Sequence, residues 1–223
     1  ADPTGLVTWH CLETAGPLES RWEAADILAV TAQGGAAFKP LDDGSLLVEG
    51  ASPDSDVFTI RIRPDLPAVT GLRLETFKHE SLPNGGPGRG DTGNYVLSAV
   101  GVAAADPAAA GGRRPAEVTR VEVTHNQDGF REQDVIQGAG NSGWAGGWKP
   151  GVMVVALAKP LVCPPGGELI VTLGFATVHS RHSIGRFSVA ATATPVPAVV
   201  LPGVLLPPTA GPPPPPAPPA RPA

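Results

Sequence analysis

Short segments of the chain alternate apolar and polar side chains with a period of two. In residues 57–63, for example, Phe58, Ile60 and Ile62 share one side of an extended backbone. Equivalent rows recur at 72–77, 120–124, 169–175 and 187–192. Successive side chains of a strand point to opposite faces, so each row predicts a β-strand with one buried face.

Turn-forming residues separate these rows. Asp42-Asp43-Gly44-Ser45 lies between Phe38 and the apolar residues 46–48, and it predicts a hairpin. Loops are expected at residues 64–67, 84–88 and 163–167, which are rich in Pro, Gly, Asn and Asp. Many short strands with frequent turns predict an all-β, antiparallel β-sandwich.

Three segments depart from this rhythm. Residues 19–28 show a weak helical pattern and predict one or two helical turns. Residues 103–115 are small and flexible, and we expect a long surface crossover there. Residues 127–150 show little periodicity but contain Trp144 and Trp148, so they predict an extended loop in which Trp144 belongs to the core and Trp148 is open.

The C-terminal composition predicts a domain boundary. Residues 195–223 contain 13 prolines and a single charged residue, Arg221. Such a segment favours polyproline II, so we expect a disordered linker or stalk, with docking to an SH3-like groove as the alternative. Residues 1–194 are then the sandwich domain.

Charge and cysteine usage limit the function. The chain carries a net charge of −5 and only four lysines, without the basic stripe that nucleic-acid binding needs. No apolar run approaches the roughly 20 residues of a membrane span, so we expect none. Cys11 and Cys163 lie in no CxxCH haem motif, so no haem is expected; two buried thiols or one disulfide are both open.

Two motifs, in this order and spacing, carry a family resemblance. They are Gly86-Pro87-Gly88-Arg89 followed by Gly93-Asn94-Tyr95-Val96-Leu97, and His182-Ser183-Ile184-Gly185-Arg186-Phe187. Over about residues 9–194 the chain resembles the β-sandwich segment of large planctomycete cytochrome-c-like secreted proteins.

The resemblance implies a galactose-binding-like jelly roll in a secreted, periplasmic or cell-surface bacterial protein. It also implies loops that bind a polysaccharide or other glycan, a structural Ca²⁺, and neighbouring domains as partners. Gln137-Gly138 stands where the resemblance leads us to expect an Asp-Gly pair, which departs from a calcium loop.

Three segments hold the candidate ligand-binding residues. We name them the Gly-rich loop (84–94), the Trp loop (127–150) and the His loop (178–186), and we expect all three at one end of the sandwich. The candidates are Arg89, Asn94, Trp148, His179, His182 and Arg186. The alternatives are structural: Arg89 clamps backbone carbonyls or a carboxylate, and His182 and Arg186 hydrogen-bond the Gly-rich loop.

Asp54 and Asp56 are the candidate calcium ligands, with solvated turn residues as the alternative. His179 and His182 lack an evident third ligand for zinc. No catalytic motif is present, so we expect a binding module rather than an enzyme. The alternative function is a structural spacer or protein–protein interaction domain within a larger protein.

Overall fold

The structure, a computed structural model, describes residues 21–106, 109, 112–138, 140–163 and 165–195. Its strands, in chain order, are β1 (Glu23–Ala24), β2 (Asp26–Ala32), β3 (Ala36–Pro40), β4 (Leu46–Gly50), β5 (Asp56–Arg63), β6 (Ala68–Thr76), β7 (Val96–Leu97), β8 (Ala99–Ala105), β9 (Arg113–Ala116), β10 (Val118–Val123), β11 (Trp144–Ala145), β12 (Val152–Val162), β13 (Leu169–Phe175) and β14 (Arg186–Thr192). Short 3-10 helices lie at Pro83–Gly85 and Glu132–Ile136, and the described residues contain no α-helix.

These strands form two large antiparallel sheets. The first has the order β10-β12-β6-β14-β4-β3, with β1 also pairing with β14. The second has the order β2-β5-β13-β8-β9, and β7 and β11 form a separate two-stranded ribbon. The predicted antiparallel β-sandwich is confirmed.

Aromatic side chains from both sheets meet in the core. Phe58 on β5 contacts Phe38 on β3 and Phe187 on β14, with ring centroids 5.0 and 6.4 Å apart. Phe58 also packs against Phe175 of its own sheet at 4.8 Å. The alternating rows read from the sequence supply the rest of this core: Ile60, Ile62, Leu72, Leu74, Leu169, Val171, Leu173, Val189 and Ala191 are all buried.

Strand β12 is buried on both faces over its first half. Met153, Val155 and Leu157 belong to the core between the sheets. Val152 and Val154 point to the other face, where the half-buried Trp22 packs against them. The sequence of β12 therefore has no alternation, as expected for a strand that is covered on both sides.

The helical expectation for residues 19–28 is wrong for the part that the structure describes, because β1 and β2 lie there. A β-bulge between Ile27 and Ala29 inserts one residue into β2. The inward side chains Ile27 and Val30 are consequently three residues apart, which imitates a helical spacing.

The crossover expected at 103–115 is also wrong. β8 and β9 pair directly as an antiparallel hairpin, with Val102 opposite Ala116. Alanine has low β-propensity, so the alanine-rich composition did not indicate the strand β8, in which Ala103 and Ala104 are buried. The hairpin at 42–45 is confirmed: β3 and β4 pair across it, and Gly44 has a positive φ of 79°.

Several predictions fall beyond the described residues. The proline-rich segment 196–223 and Cys11 lie outside the described residues, so neither the predicted stalk nor a Cys11–Cys163 bond is tested. The Cys163 side chain is buried, and burial raises the pKa of a thiol at this position. Within the described part of the chain, no helix is long and apolar enough to cross a membrane.

Candidate functional site

The three candidate loops contact one another at one end of the sandwich. The Asn94 side chain of the Gly-rich loop donates to Gln127 Oε1 of the Trp loop at 3.0 Å. The backbone N–H of Arg89 donates to the carbonyl of Ser183 in the His loop at 2.9 Å. The Gly-rich loop is therefore hydrogen-bonded to both of the other loops.

A cleft of about 470 Å³ opens between the Gly-rich loop and the Trp loop. It is lined by Thr92, Asn94, His125, Asn126, Gln127, Asp128, Gly146, Gly147, Trp148 and Lys149. Two of the candidates, Asn94 and Trp148, are in this set. Arg89, His179, His182 and Arg186 are not.

The two tryptophans of the Trp loop have different environments, as expected. Trp144 is fully buried and packs edge-on against Tyr95, with ring centroids 5.0 Å apart. Trp148 is 63% exposed and presents its ring at the cleft. The expectation that Trp144 is core and Trp148 is open is confirmed.

Residues 125–128 form one side of the cleft, here called the polar wall. Hydrogen bonds join this wall to the segment that contains Trp144. Trp144 Nε1 donates to the carbonyl of His125 at 3.1 Å. Asn126 Oδ1 accepts from the backbone N–H of Ala145 at 2.8 Å, and its Nδ2 donates to the carbonyl of Gly143 at 3.0 Å. Because the wall is tied to the core by these bonds, its side chains are held in place before any ligand arrives.

Two ammonium groups lie over the Trp148 ring. Lys78 Nζ is 5.7 Å and Lys149 Nζ is 5.6 Å from the ring centroid. An exposed cation–π contact of this kind contributes about 0.5–1 kcal/mol, so a ligand can displace it. The ring and the two cations form one exposed unit beside the amides of the cleft.

The Arg186 side chain hydrogen-bonds the backbone that carries Lys78. Its guanidinium donates to Ser45 Oγ at 2.9 Å, to the carbonyl of Lys78 at 3.0 Å and to the Asp43 carboxylate. Hydrogen bonds from Ser45, together with the Arg186 charge, hold the pKa of Asp43 below its usual range. The structural alternative for Arg186, a hydrogen bond to the Gly-rich loop, is met by its backbone N–H, which donates to the Pro87 carbonyl at 3.4 Å. Its side chain turns instead to the 42–45 hairpin and the Lys78 carbonyl.

Arg89 is a structural clamp. Its half-buried guanidinium donates to the carbonyls of Gly50 and Ala51 at 2.7 and 2.6 Å. Loss of hydration lowers its pKa, an effect that the nearby Asp56 charge opposes. The alternative proposed for Arg89 from the sequence, a clamp on carbonyls, is confirmed.

The two candidate histidines pack together beside the cleft. The rings of His179 and His182 are 5.5 Å apart, and Phe130 of the Trp loop is 5.5 Å from His179. A ring nitrogen of His182 donates to the Ser180 carbonyl at 2.8 Å. His182 also covers Gly90, where an added Cβ would lie 2.8 Å from the ring. His182 thus contacts the Gly-rich loop through packing rather than through a side-chain hydrogen bond.

Asp54 and Asp56 do not form a shared donor set. Asp54 is exposed, whereas Asp56 is buried and its Oδ1 accepts from the backbone N–H groups of Gly34 and Val57 at 2.8 Å. Ca²⁺ takes six to eight oxygen ligands, and the described residues hold no group of three or more acids, histidines or cysteines suited to a metal. The calcium expectation finds no donor set here and stays a prediction.

Sequence reasoning placed eight of the ten lining residues in the Gly-rich and Trp loops, but it singled out only Asn94 and Trp148. His125 and Asn126 come two and three residues after the end of β10, just before the Trp loop, and nothing in their local pattern marks them. Lys149 is adjacent to Trp148 in sequence, but Lys78 comes from the end of β6, about seventy residues earlier. Lysine is scarce in the chain, which draws attention to its four lysines but not to these two in particular.

Comparisons of the chain with protein-family models, with curated proteins and with solved structures found no match. The resemblance to planctomycete cytochrome-c-like proteins and to galactose-binding-like domains is therefore untested. The antiparallel β-sandwich and its loop cluster stand on the structure alone.

Proposed function

We propose that the protein is a non-catalytic carbohydrate-binding module, part of a larger secreted or cell-surface bacterial protein, and that a glycan binds in the Trp148 cleft. The observation that carries this proposal is the exposed Trp148 ring next to the amides of Asn94 and Gln127. Axial C–H groups of a sugar pack on an aromatic face, and amide side chains can both donate to and accept from hydroxyl groups.

The cleft chemistry supports binding rather than hydrolysis. Glycoside hydrolysis needs two carboxyl groups about 5–9.5 Å apart on either side of the bond that breaks. Asp128 is the single carboxylate among the described residues that line the cleft. A polar cleft with one aromatic ring and one acid suits a ligand that is held unchanged.

The path of the chain leaves the cleft at the end of the domain opposite Arg21 and Thr194. β14 starts at Arg186, beside the loop cluster, and runs about 20 Å to the opposite end. There Thr192 Oγ1 donates to the Arg21 carbonyl at 2.7 Å, and the Arg21 N–H donates to Thr194 Oγ1 at 3.2 Å. Arg21 and Thr194, near the two ends of the described chain, thus lie side by side and away from the cleft. This arrangement favours a domain whose cleft faces outward over a spacer that enters at one end and leaves at the other.

Glycan-array screening followed by calorimetric titration tests the proposal. We expect at least one glycan to bind, and Trp148→Ala to weaken binding by about tenfold, equivalent to about 1.4 kcal/mol. Trp148→Phe keeps an aromatic face and should retain most of the affinity. Val162→Ala removes an apolar side chain of similar exposure at the C-terminal end of β12, outside the candidate loops, and is the control.

Absence of any bound glycan would refute the proposal. Binding that is unchanged in Trp148→Ala would place the ligand elsewhere on the domain. In the first case the structural-spacer alternative would become the better account of the domain.

A further inference from the structure

Lysine is rare in this chain and is concentrated at the cleft. The chain has four lysines and a net charge of −5. Two of the four, Lys78 and Lys149, have their Nζ atoms within 6 Å of the same exposed ring, Trp148. An otherwise acidic protein therefore presents a local pair of positive charges where the proposed ligand packs.

Both lysines emerge from backbone that is held rigidly. The Thr76 N–H donates to the Gly151 carbonyl and the Gly151 N–H donates to Thr76 Oγ1, both at 2.9 Å, at the adjoining ends of β6 and β12. Lys78 follows Thr76 by two residues, and Lys149 precedes Gly151 by two. The two stems therefore start from neighbouring, mutually bonded segments.

Arg186 adds a further constraint on this pair. It donates to the Lys78 carbonyl and is itself anchored by Asp43 and Ser45. Neither lysine ammonium forms an ion pair within the described part of the chain, and each instead lies over the indole ring. The positive charges are thus positioned by the fold and remain available to an anion.

We infer that the cleft binds an acidic glycan, in which a carboxylate or sulfate group pairs with Lys78 and Lys149 while the sugar ring packs on Trp148. This inference rests on the proposed function and specifies its ligand class. Binding exchanges two weak cation–π contacts for a sugar face on the indole and an ion pair for the displaced lysines. A neutral glycan would gain the first contact but not the second.

The test compares two double variants that change the net charge equally, from −5 to −7. Lys78→Ala with Lys149→Ala removes the cleft pair. Lys39→Ala with Lys159→Ala removes two exposed lysines on β3 and β12 and is the matched control. Thermal unfolding of both variants checks that the fold is unchanged.

The probes are polyuronate oligosaccharides, their carboxyl-reduced neutral counterparts and a sulfated polysaccharide, each titrated by calorimetry. For the preferred acidic probe we expect about a tenfold loss of affinity in the cleft double variant and less than about twofold in the control. Affinity should fall as NaCl rises from 0.05 to 0.5 M, because screening weakens exposed ion pairs. The uronate and sulfate arms show which acidic group is preferred.

Three outcomes would overturn the inference, and they are distinguishable. Equal, Trp148-dependent binding of the neutral and acidic probes would remove the acidic specificity and leave the proposed function intact. Equal losses in both double variants would show attraction to net charge alone. Failure of these probes to bind, while the array yields another glycan that binds at Trp148, would overturn the inference alone; failure on the array as well would remove the proposed function with it.

Discussion

Tyr95 joins the cleft wall to the core. Its ring is fully buried between Trp144 and the backbone of Gly146, where an added Cβ would overlap the ring. Its hydroxyl lies 3.4 Å from Thr76 Oγ1. The neighbouring Asn94, which lines the cleft, accepts from the Tyr95 N–H at 2.7 Å. Tyr95 is buried and bonded to Asn94, so it helps to keep this part of the cleft lining in place.

Burial raises the pKa of Tyr95 far above its usual value, so the folded protein should resist its ionisation. Above about pH 10 the unfolded chain loses this proton and the folded chain keeps it, so stability should fall by roughly 1.4 kcal/mol per pH unit. Tyr95 is the only tyrosine in the chain. We expect tyrosinate absorbance to appear together with loss of circular dichroism in an alkaline titration.

Tyr95→Phe supplies the baseline, because that variant contains no tyrosine and tryptophan contributes the remaining absorbance. Tyrosinate that forms while circular dichroism is unchanged would contradict the burial of Tyr95.

Arg186 and Arg181 lie five residues apart and differ in surroundings. Arg186 uses a planar fork to reach three partners, which a lysine cannot reproduce, whereas the Arg181–Asp91 ion pair is exposed. We expect Arg186→Lys to lower the free energy of unfolding by roughly 1–2 kcal/mol and Arg181→Lys by less than about 0.5 kcal/mol, measured by urea denaturation.

The pH dependence of the Arg186 variant gives a second measurement. The pKa of Asp43 is lowered in the folded protein, so its contribution is present above the ordinary carboxyl range and is lost as the pH falls. Ser45, the main cause of the lowered pKa, is kept in Arg186→Lys, so the part of the wild-type–variant difference that comes from the Arg186–Asp43 contact should shrink below about pH 4. A difference that stays constant with pH would show that Asp43 takes no part.

At the scale of elements, the Gly-rich loop is shaped by close backbone contacts. A Cβ at Gly88 would overlap the carbonyl oxygen of Asn94, and Gly88 also forms an isolated bridge with Ile184 of the His loop. Gly101, in the middle of β8, has only ordinary contact, 3.7 Å to Thr172. The two glycines therefore serve as a matched pair.

Gly88→Ala should destabilise the protein by about 1–3 kcal/mol, because the loop must shift to admit a methyl group. Gly101→Ala should be neutral or stabilising by up to about 1 kcal/mol, since alanine restricts the unfolded chain. Chemical denaturation measures both effects. Equal effects at the two positions would mean that the loop yields easily, and that Asn94 is not held as firmly as the contacts indicate.

The success of the sequence analysis differed between elements for physical reasons. Strands with one buried face, such as β5 and β13, were predictable because their side chains alternate. β12 went unrecognised because Trp22 and the core cover it on both sides, which leaves an unbroken apolar run. β2 imitated a helix because one bulge changed its spacing.

At the scale of the whole molecule, the candidate site was only partly predictable. Trp148 and Asn94 were identified because an open aromatic and a Gly-rich loop are visible locally. The polar wall at 125–128 and the lysine pair became apparent only from the pairing of strands, since β6, β7, β11 and β12 bring their ends together. Local spacing carries no information on such long-range convergence.

One core spanning both sheets implies that the sandwich unfolds as a unit. Phe58 is fully buried and contacts aromatic rings of both sheets, so Phe58→Ala should cost about 3–5 kcal/mol. Hydrogen exchange should accelerate together in β6 of the first sheet and β13 of the second. Val162→Ala, at a side chain that is 61% exposed, should change stability by less than about 0.5 kcal/mol. Faster exchange confined to the second sheet would show that each sheet opens separately. The cleft is anchored mainly to the first sheet and the β7–β11 ribbon. In that case Phe58→Ala should therefore retain the glycan affinity of the wild type.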